Sequence, residues 1–214
     1  MKTKYDGLIF DMDGVLVDVS QSYLEAIRQT AGYFLKRNVL MSEVNKIKNK
    51  LGANNNDWDA TYALINNPAI AYDAVKSYFQ ILYLGNSKNI GLVDNEKLLI
   101  SKQKLQRLKD KYKKLGIATG RPKKEAKYMI EKNRLKGIFD CIVDMDDVKK
   151  NKPYPDQLFL VIKKLNLKQT IYIGDASCDV VAAKAAGIPS IYVGNLNIGT
   201  IRFTSSLQVI QYLL

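Results

Sequence analysis

Five short apolar runs constrain this chain more than anything else in it. They are "GLIFD", "LGIATG", "FDCIVD", "TIYIGD" and "PSIYVG", and each stops at a turn residue or an acid. Short apolar runs bounded this way read as strands buried on both faces. Helical patterns lie between the later ones. Leu98, Leu105, Leu108, Tyr112 and Leu115 keep helical spacing, with Gly116 as the stop. "KKEAKYMIEKNRL" follows the second run. Pro155 opens "PDQLFLVIKKL" in a place suited to a first helical turn. Strand and helix in alternation predict a parallel sheet with right-handed crossovers. Groups that handle a ligand then belong at the carboxyl ends of the strands.

One region breaks the rhythm. From about Val19 to Asn95 no strand pattern appears. Leu24, Ile27, Ala31, Phe34 and Leu35 form one helical stripe, with Ser22 and Glu25 placed for a capping box. Val44, Ile47 and Leu51 form a second stripe, and Trp58, Tyr62 and Ile65 a third. After Pro68, a longer one runs through Ala71, Ala74, Val75, Tyr78, Phe79 and Leu82. This is a helical insert placed right after the first strand, with hinges expected near Val17 to Ser20 and Gly91 to Glu96.

Composition excludes several chemistries. There is no histidine, which removes Ser-His-Asp and Cys-His catalysis and histidine-ligated zinc. Cys141 and Cys178 form no CxxC, so a soluble, reducing, cytoplasmic setting is expected. No run approaches a membrane span and no signal peptide is visible, so no membrane partner is expected. The net charge of +12 would suit a nucleic-acid binder. The lysines, however, are spread along the chain and mixed with acids. They read as solvated helix faces that also attract a small anionic substrate.

The strand ends carry the chemistry. The first ends in Asp11 and Asp13, and the second in Thr119, Gly120 and Arg121. Lys152 follows the third, and the fourth ends in Gly174 and Asp175, with Asp179 four residues on. In a parallel sheet these ends converge. Clustered carboxylates repel one another unless a cation sits among them. Magnesium takes about six oxygen ligands, a few from protein and the rest from water or phosphate. One aspartate can attack phosphorus. A second can protonate the leaving oxygen and then deprotonate water. Thr119 and Lys152 can hold phosphoryl oxygens and offset developing charge.

These residues carry a resemblance. "DMDGVLVD" resembles the first motif of the haloacid dehalogenase superfamily, and "IATGRP" resembles the second. "DDVKKNKPYPD" is similar to the third, in the form found in the phosphoglycolate-phosphatase-like branch, with Asn151 where glycine is more usual. "GDASCDVVAAKAAG" resembles the fourth. The motifs come in order over almost the whole chain. The resemblance implies an α/β fold, a Rossmann-like parallel-sheet core with an inserted all-helical cap. The core would be residues 1–18 and 96–214, and the cap 19–95.

The resemblance also implies roles. Asp11 matches the nucleophile and a magnesium ligand. Asp13 matches the general acid/base, and its carbonyl matches another ligand. Thr119 and Lys152 match the phosphate-binding pair; Gly120 and Arg121, which follow Thr119 at the same strand end, are further candidate phosphate contacts. Asp175 matches a direct metal ligand. Asp179 matches a supporting acid, near the metal or partnering Lys152. An acid at position 13 argues for phosphoryl transfer and against dehalogenation, where halide needs no proton.

The expected activity is that of a magnesium-dependent phosphatase on a small phosphorylated metabolite, in a monomer or homodimer. A phosphomutase resembling beta-phosphoglucomutase is the first alternative, and a non-catalytic basic nucleic-acid-associated domain the second. "GANNND", from Gly52 to Asp57, lies between two stripes of the insert. Asn54 and Asn55 are candidate substrate contacts there, and Asn56 or Asp57 a candidate helix cap.

Overall fold

The computed structural model describes residues 4–51 and 56–214. The chain separates into two compact units, Asp18–Lys97 and the combination of Met1–Val17 with Leu98–Leu214. It passes between them at the short strands β2 (Val17–Asp18) and β3 (Lys97–Leu98), which pair with each other.

The discontinuous unit is built on a sheet. Its first strand, β1, is Gly7–Phe10, and every residue in it is buried. The others are β4 (Leu115–Ala118), β5 (Cys141–Val143), β6 (Thr170–Gly174), β7 (Ser190–Val193) and β8 (Ile201–Phe203). They lie in the order β5-β4-β1-β6-β7-β8, and every pairing in this sheet is parallel. β1 is therefore central. The chain builds outward on one side of it through β4 and β5, then crosses to the other side at β6. That reversal opens a crevice at the carboxyl end of β1, where open α/β sheets bind ligands.

The crossover helices bury one stripe each. α5 (Lys102–Tyr112) buries Leu105, Leu108 and Tyr112, and Ser101 caps it by accepting from the Lys104 N–H. α6 is Lys123–Lys132, α7 Asp156–Leu165, α8 Ser177–Ala185 and α9 Ser206–Leu213. Leu158 and Val161 of α7 pack with Ile9, Ala118, Val143, Tyr172, Ala182 and Ala183 into one core.

The second unit is helical: α1 (Tyr23–Leu35), α2 (Met41–Leu51), α3 (Asp57–Ile65) and α4 (Tyr72–Leu84). Its interior holds Ile27, Ala31, Val44, Ala60, Val75 and Phe79. Tyr23 stacks on Tyr83 at 4.4 Å between centroids, and the Tyr83 hydroxyl donates to Glu96 Oε1 at 3.0 Å. Among the described residues, no helix is long and apolar enough to cross a membrane.

Local details depart from the sequence expectations. α5 ends at Tyr112, and Lys113 beyond it takes a left-handed φ of 66°. Leu98 and Leu115 lie in strands, and Gly116 sits inside β4 rather than stopping a helix. A Cβ on Gly116 would come within 2.5 Å of Val161 Cγ1, so its smallness lets α7 approach the sheet. Ser22 makes no capping hydrogen bond from its side chain; its Oγ donates to the Val19 carbonyl instead. Glu25 is taken by Arg28 and Gln29. Asn56 does cap α3, accepting from the Asp59 N–H at 2.9 Å. Asn54 and Asn55 lie outside the described residues.

Candidate functional site

Three neighbouring strands deliver the polar groups. The ladder runs on past β1, where the Asp11 N–H donates to the Ile173 carbonyl at 2.7 Å. On the other side the Thr119 N–H donates to Val143 at 3.0 Å. Asp11 and Thr119 are thus fixed by main-chain bonds before their side chains do anything.

Gly14 follows Asp13 with a φ of 65°, which an L side chain rarely adopts. A Cβ there would stand 1.8 Å from Asp175 Oδ2. The turn after β1 therefore leaves a cradle that the Asp175 carboxylate fills. Gly174 does the same for Asp179, whose Cβ would lie 2.4 Å from a Cβ at Gly174. Asp179 Oδ2 also accepts from the Ala176 N–H at 3.0 Å, at the start of α8.

Lys152 reaches this group from the loop before α7. Its ammonium lies 2.9 Å from Asp11 Oδ1 and 2.7 Å from Asp179 Oδ1, and it donates to the Tyr172 hydroxyl at 3.0 Å. Its three N–H groups thus have three neighbours. The Tyr172 O–H lies in turn within reach of Asp179 Oδ1, at 2.9 Å, and the Ala118 carbonyl, at 3.1 Å. Burial alone would push the Lys152 ammonium down, but Asp11 and Asp179 outweigh it and hold it well above the ordinary lysine value. Burial, with Asp11 and Asp179 adding to it, holds the Tyr172 phenol well above its usual range.

Asp11, Asp175 and Asp179 each place a carboxylate oxygen within 4.8 Å of the others. Burial pushes Asp11 well above the usual carboxylate range, opposed by Lys152 and reinforced by the other acids. Burial first, then Asp179 and Asp13, lift Asp175 to about 7. Asp11 Oδ1 is buried and, its ion pair with Lys152 aside, accepts no hydrogen bond. A set of crowded carboxylates and purely oxygen donors fit a hard divalent cation such as magnesium.

The remaining sequence candidates fall around this centre. Asp13 keeps 28% of its side chain exposed. The Thr119 hydroxyl accepts from the Arg121 N–H at 3.2 Å. Gly120 between them is exposed, and a Cβ there would meet nothing within 4 Å. The Arg121 side chain is fully buried and ion-paired with Asp13 at 2.6 Å, facing protein and not solvent. Two residues that contact these candidates escaped the sequence reading. Tyr172 sits inside a strand run, where an aromatic reads as core. Gln157 is buried on α7 and donates from Nε2 to the Thr119 carbonyl at 2.7 Å. A polar residue on the apolar face of α7 was the available signal.

The sequence comparisons agree with this architecture. The family profile described as haloacid dehalogenase-like hydrolase matches residues 8–193. A phosphorylated carbohydrates phosphatase from Thermotoga maritima is 31% identical over 215 residues, 91% of this chain and 88% of that protein. An imidazoleglycerol-phosphate dehydratase from Phytophthora nicotianae is 32% identical over 197 residues, 87% of this chain. The chain spans only 43% of that second relative's length. A solved Haemophilus somnus chain assigned as a phosphoglycolate phosphatase superposes with a TM-score of 0.77 over 99% of both chains; at 20% identity this likeness speaks for the fold alone. The chain belongs to the haloacid dehalogenase-like hydrolase family.

Proposed function

We propose that the chain is a magnesium-dependent phosphatase that hydrolyses a small phosphate monoester through a phosphoryl group carried on Asp11. One observation carries the reading: Asp11 ends the central strand with carboxylates of Asp175 and Asp179 within 4.8 Å of its own and the buried Lys152 ammonium 2.9 Å from its Oδ1. Three acids this close, with one ammonium among them, suit a further cation and an anionic phosphoryl group.

In the proposed reaction Asp11 attacks phosphorus as the ester P–O bond breaks, and Asp13 gives its proton to the departing oxygen. Asp13 then takes a proton from water, which attacks phosphorus. The bond to Asp11 breaks and inorganic phosphate leaves. Lys152, Thr119 and the Gly120 main chain hold the phosphoryl oxygens and offset their charge. Asp11, Asp175 and the Asp13 carbonyl would hold magnesium, with Asp179 beside them; when bound, the ion offsets the charge that carboxylates and phosphoryl group bring together. Asp179, with both oxygens engaged by Lys152, Tyr172 and Ala176, supports Lys152 in this scheme. The helical unit, read as the cap, selects the substrate.

The Thermotoga relative's name points to a sugar phosphate as the substrate class. A panel of phosphorylated metabolites, assayed for phosphate release with magnesium and with excess chelator, tests the reading. Release that needs the metal and disappears in Asp11→Asn supports it. Isomerised sugar phosphate without release would favour the mutase, and activity in excess chelator would remove the metal from the scheme.

A further inference from the structure

The proposed reaction leaves one buried cation unused. The Arg121 side chain has no exposed surface, so its part is played through a neighbour. Its Nε donates to Asp13 Oδ1 at 2.6 Å, and its Nη2 lies 2.6 Å from the same oxygen. The Arg121 backbone is pinned as well. Its N–H donates to Thr119 Oγ1 at 3.2 Å, and its carbonyl accepts from the Met145 N–H at 3.0 Å. Pro122 follows, and α6 begins at Lys123. The guanidinium is therefore part of a fixed floor under the turn that carries Asp13.

A partly exposed aspartate can take several rotamers. Two N–H groups on one of its oxygens select one of them, through charge-assisted bonds that are shorter and stronger than neutral ones. Lysine cannot reproduce this, because it offers a point charge in place of a rigid fork.

We propose that Arg121 is a positioning residue that holds Asp13 in the orientation needed for its two proton transfers. The inference rests on the phosphatase reading above and extends it to a residue that touches no substrate.

The test uses p-nitrophenyl phosphate, whose leaving group departs without a proton. With this substrate, kcat/KM reports the steps up to nitrophenolate release, and kcat also contains the hydrolysis at Asp11, where Asp13 must take a proton from water. Arg121→Met is expected to lower kcat on the order of 10²-fold, the lower range of general acid–base effects, while kcat/KM holds near the wild-type value. Arg121→Lys falls between. Asp13→Asn shows the same split, and the double variant Arg121→Met with Asp13→Asn is no slower than Asp13→Asn alone, because residues acting through one another are not additive. Additive losses, or kcat and kcat/KM falling together in variants that melt like the wild type, would overturn the inference. Should Arg121→Met melt below the assay temperature, Arg121→Lys combined with Asp13→Asn carries the same comparison. A wild type that releases no nitrophenolate fails the underlying reading instead, which is a separate result from additivity in an active enzyme.

Discussion

Asp175 occupies the space that a side chain on Gly14 would need: a Cβ at Gly14 would stand 1.8 Å from Asp175 Oδ2. One residue's lack of a side chain thus sets another's position, across two neighbouring strand ends. Gly14→Ala is expected to strain the backbone at a φ of 65°, at a cost of roughly 1–3 kcal/mol, and to displace the Asp175 carboxylate. The rise in melting temperature on adding magnesium measures the second effect separately. It should shrink in the variant, and an undiminished rise would count against the cradle.

Lys152 is the cation between Asp11 and Asp179, and its side chain is 8% exposed. Removing one partner from a buried ion pair leaves uncompensated charge and costs about 3–5 kcal/mol. Lys152→Ala should therefore lower the denaturant midpoint strongly as well as turnover. An unchanged midpoint would mean that Lys152 is not paired in solution as described.

Tyr172→Phe removes a buried hydroxyl that serves Lys152, Asp179 and the Ala118 carbonyl. Stranding such groups costs about 1–3 kcal/mol. Stability should fall by that order, and KM for p-nitrophenyl phosphate should rise as Lys152 loses its support. Urea unfolding together with steady-state kinetics checks both.

Much of this architecture was legible because the sheet is buried on both faces and its strands read as continuous apolar runs. β1, β4, β5, β6 and β7 follow from that alone. β8 did not stand out: "IRF" is three residues with a charge at its centre, on the edge of the sheet and only half-buried. The carboxylates at strand ends were readable because acids rarely follow buried strands. Tyr172 was not, since an aromatic in a strand looks like packing until its hydroxyl is located. Arg121 was read as a candidate phosphate contact, but its side chain is fully buried against Asp13, and a sequence does not say whether a guanidinium faces solvent or turns inward. The capping box at Ser22 and Glu25 failed through competition: Arg28, three residues on, offered Glu25 a charged partner.

That competition has a pH signature. Hydrogen bonds from Arg28 first, and from Gln29, hold the Glu25 carboxyl below its ordinary value of 4.5, against some burial. A depressed carboxyl contributes stability that is present above the unfolded value and lost as pH falls through the lower folded one. Glu25→Gln should therefore cost roughly 0.5 kcal/mol near neutrality, as a partly exposed pair does. The gap between variant and wild type should close below pH 4.5. A gap that persists at acid pH would assign the effect to packing.

In the proposed reaction Asp11 carries the phosphoryl group. The most direct measurement is an acid quench during turnover of radiolabelled acetyl phosphate with magnesium, followed by peptide mapping. Label is expected on the peptide that contains Asp11, released by hydroxylamine as an acyl phosphate would be, and absent from Asp11→Asn. Label on another residue, or steady phosphate release with no labelled protein at any quench time and full turnover by Asp11→Asn, would contradict it.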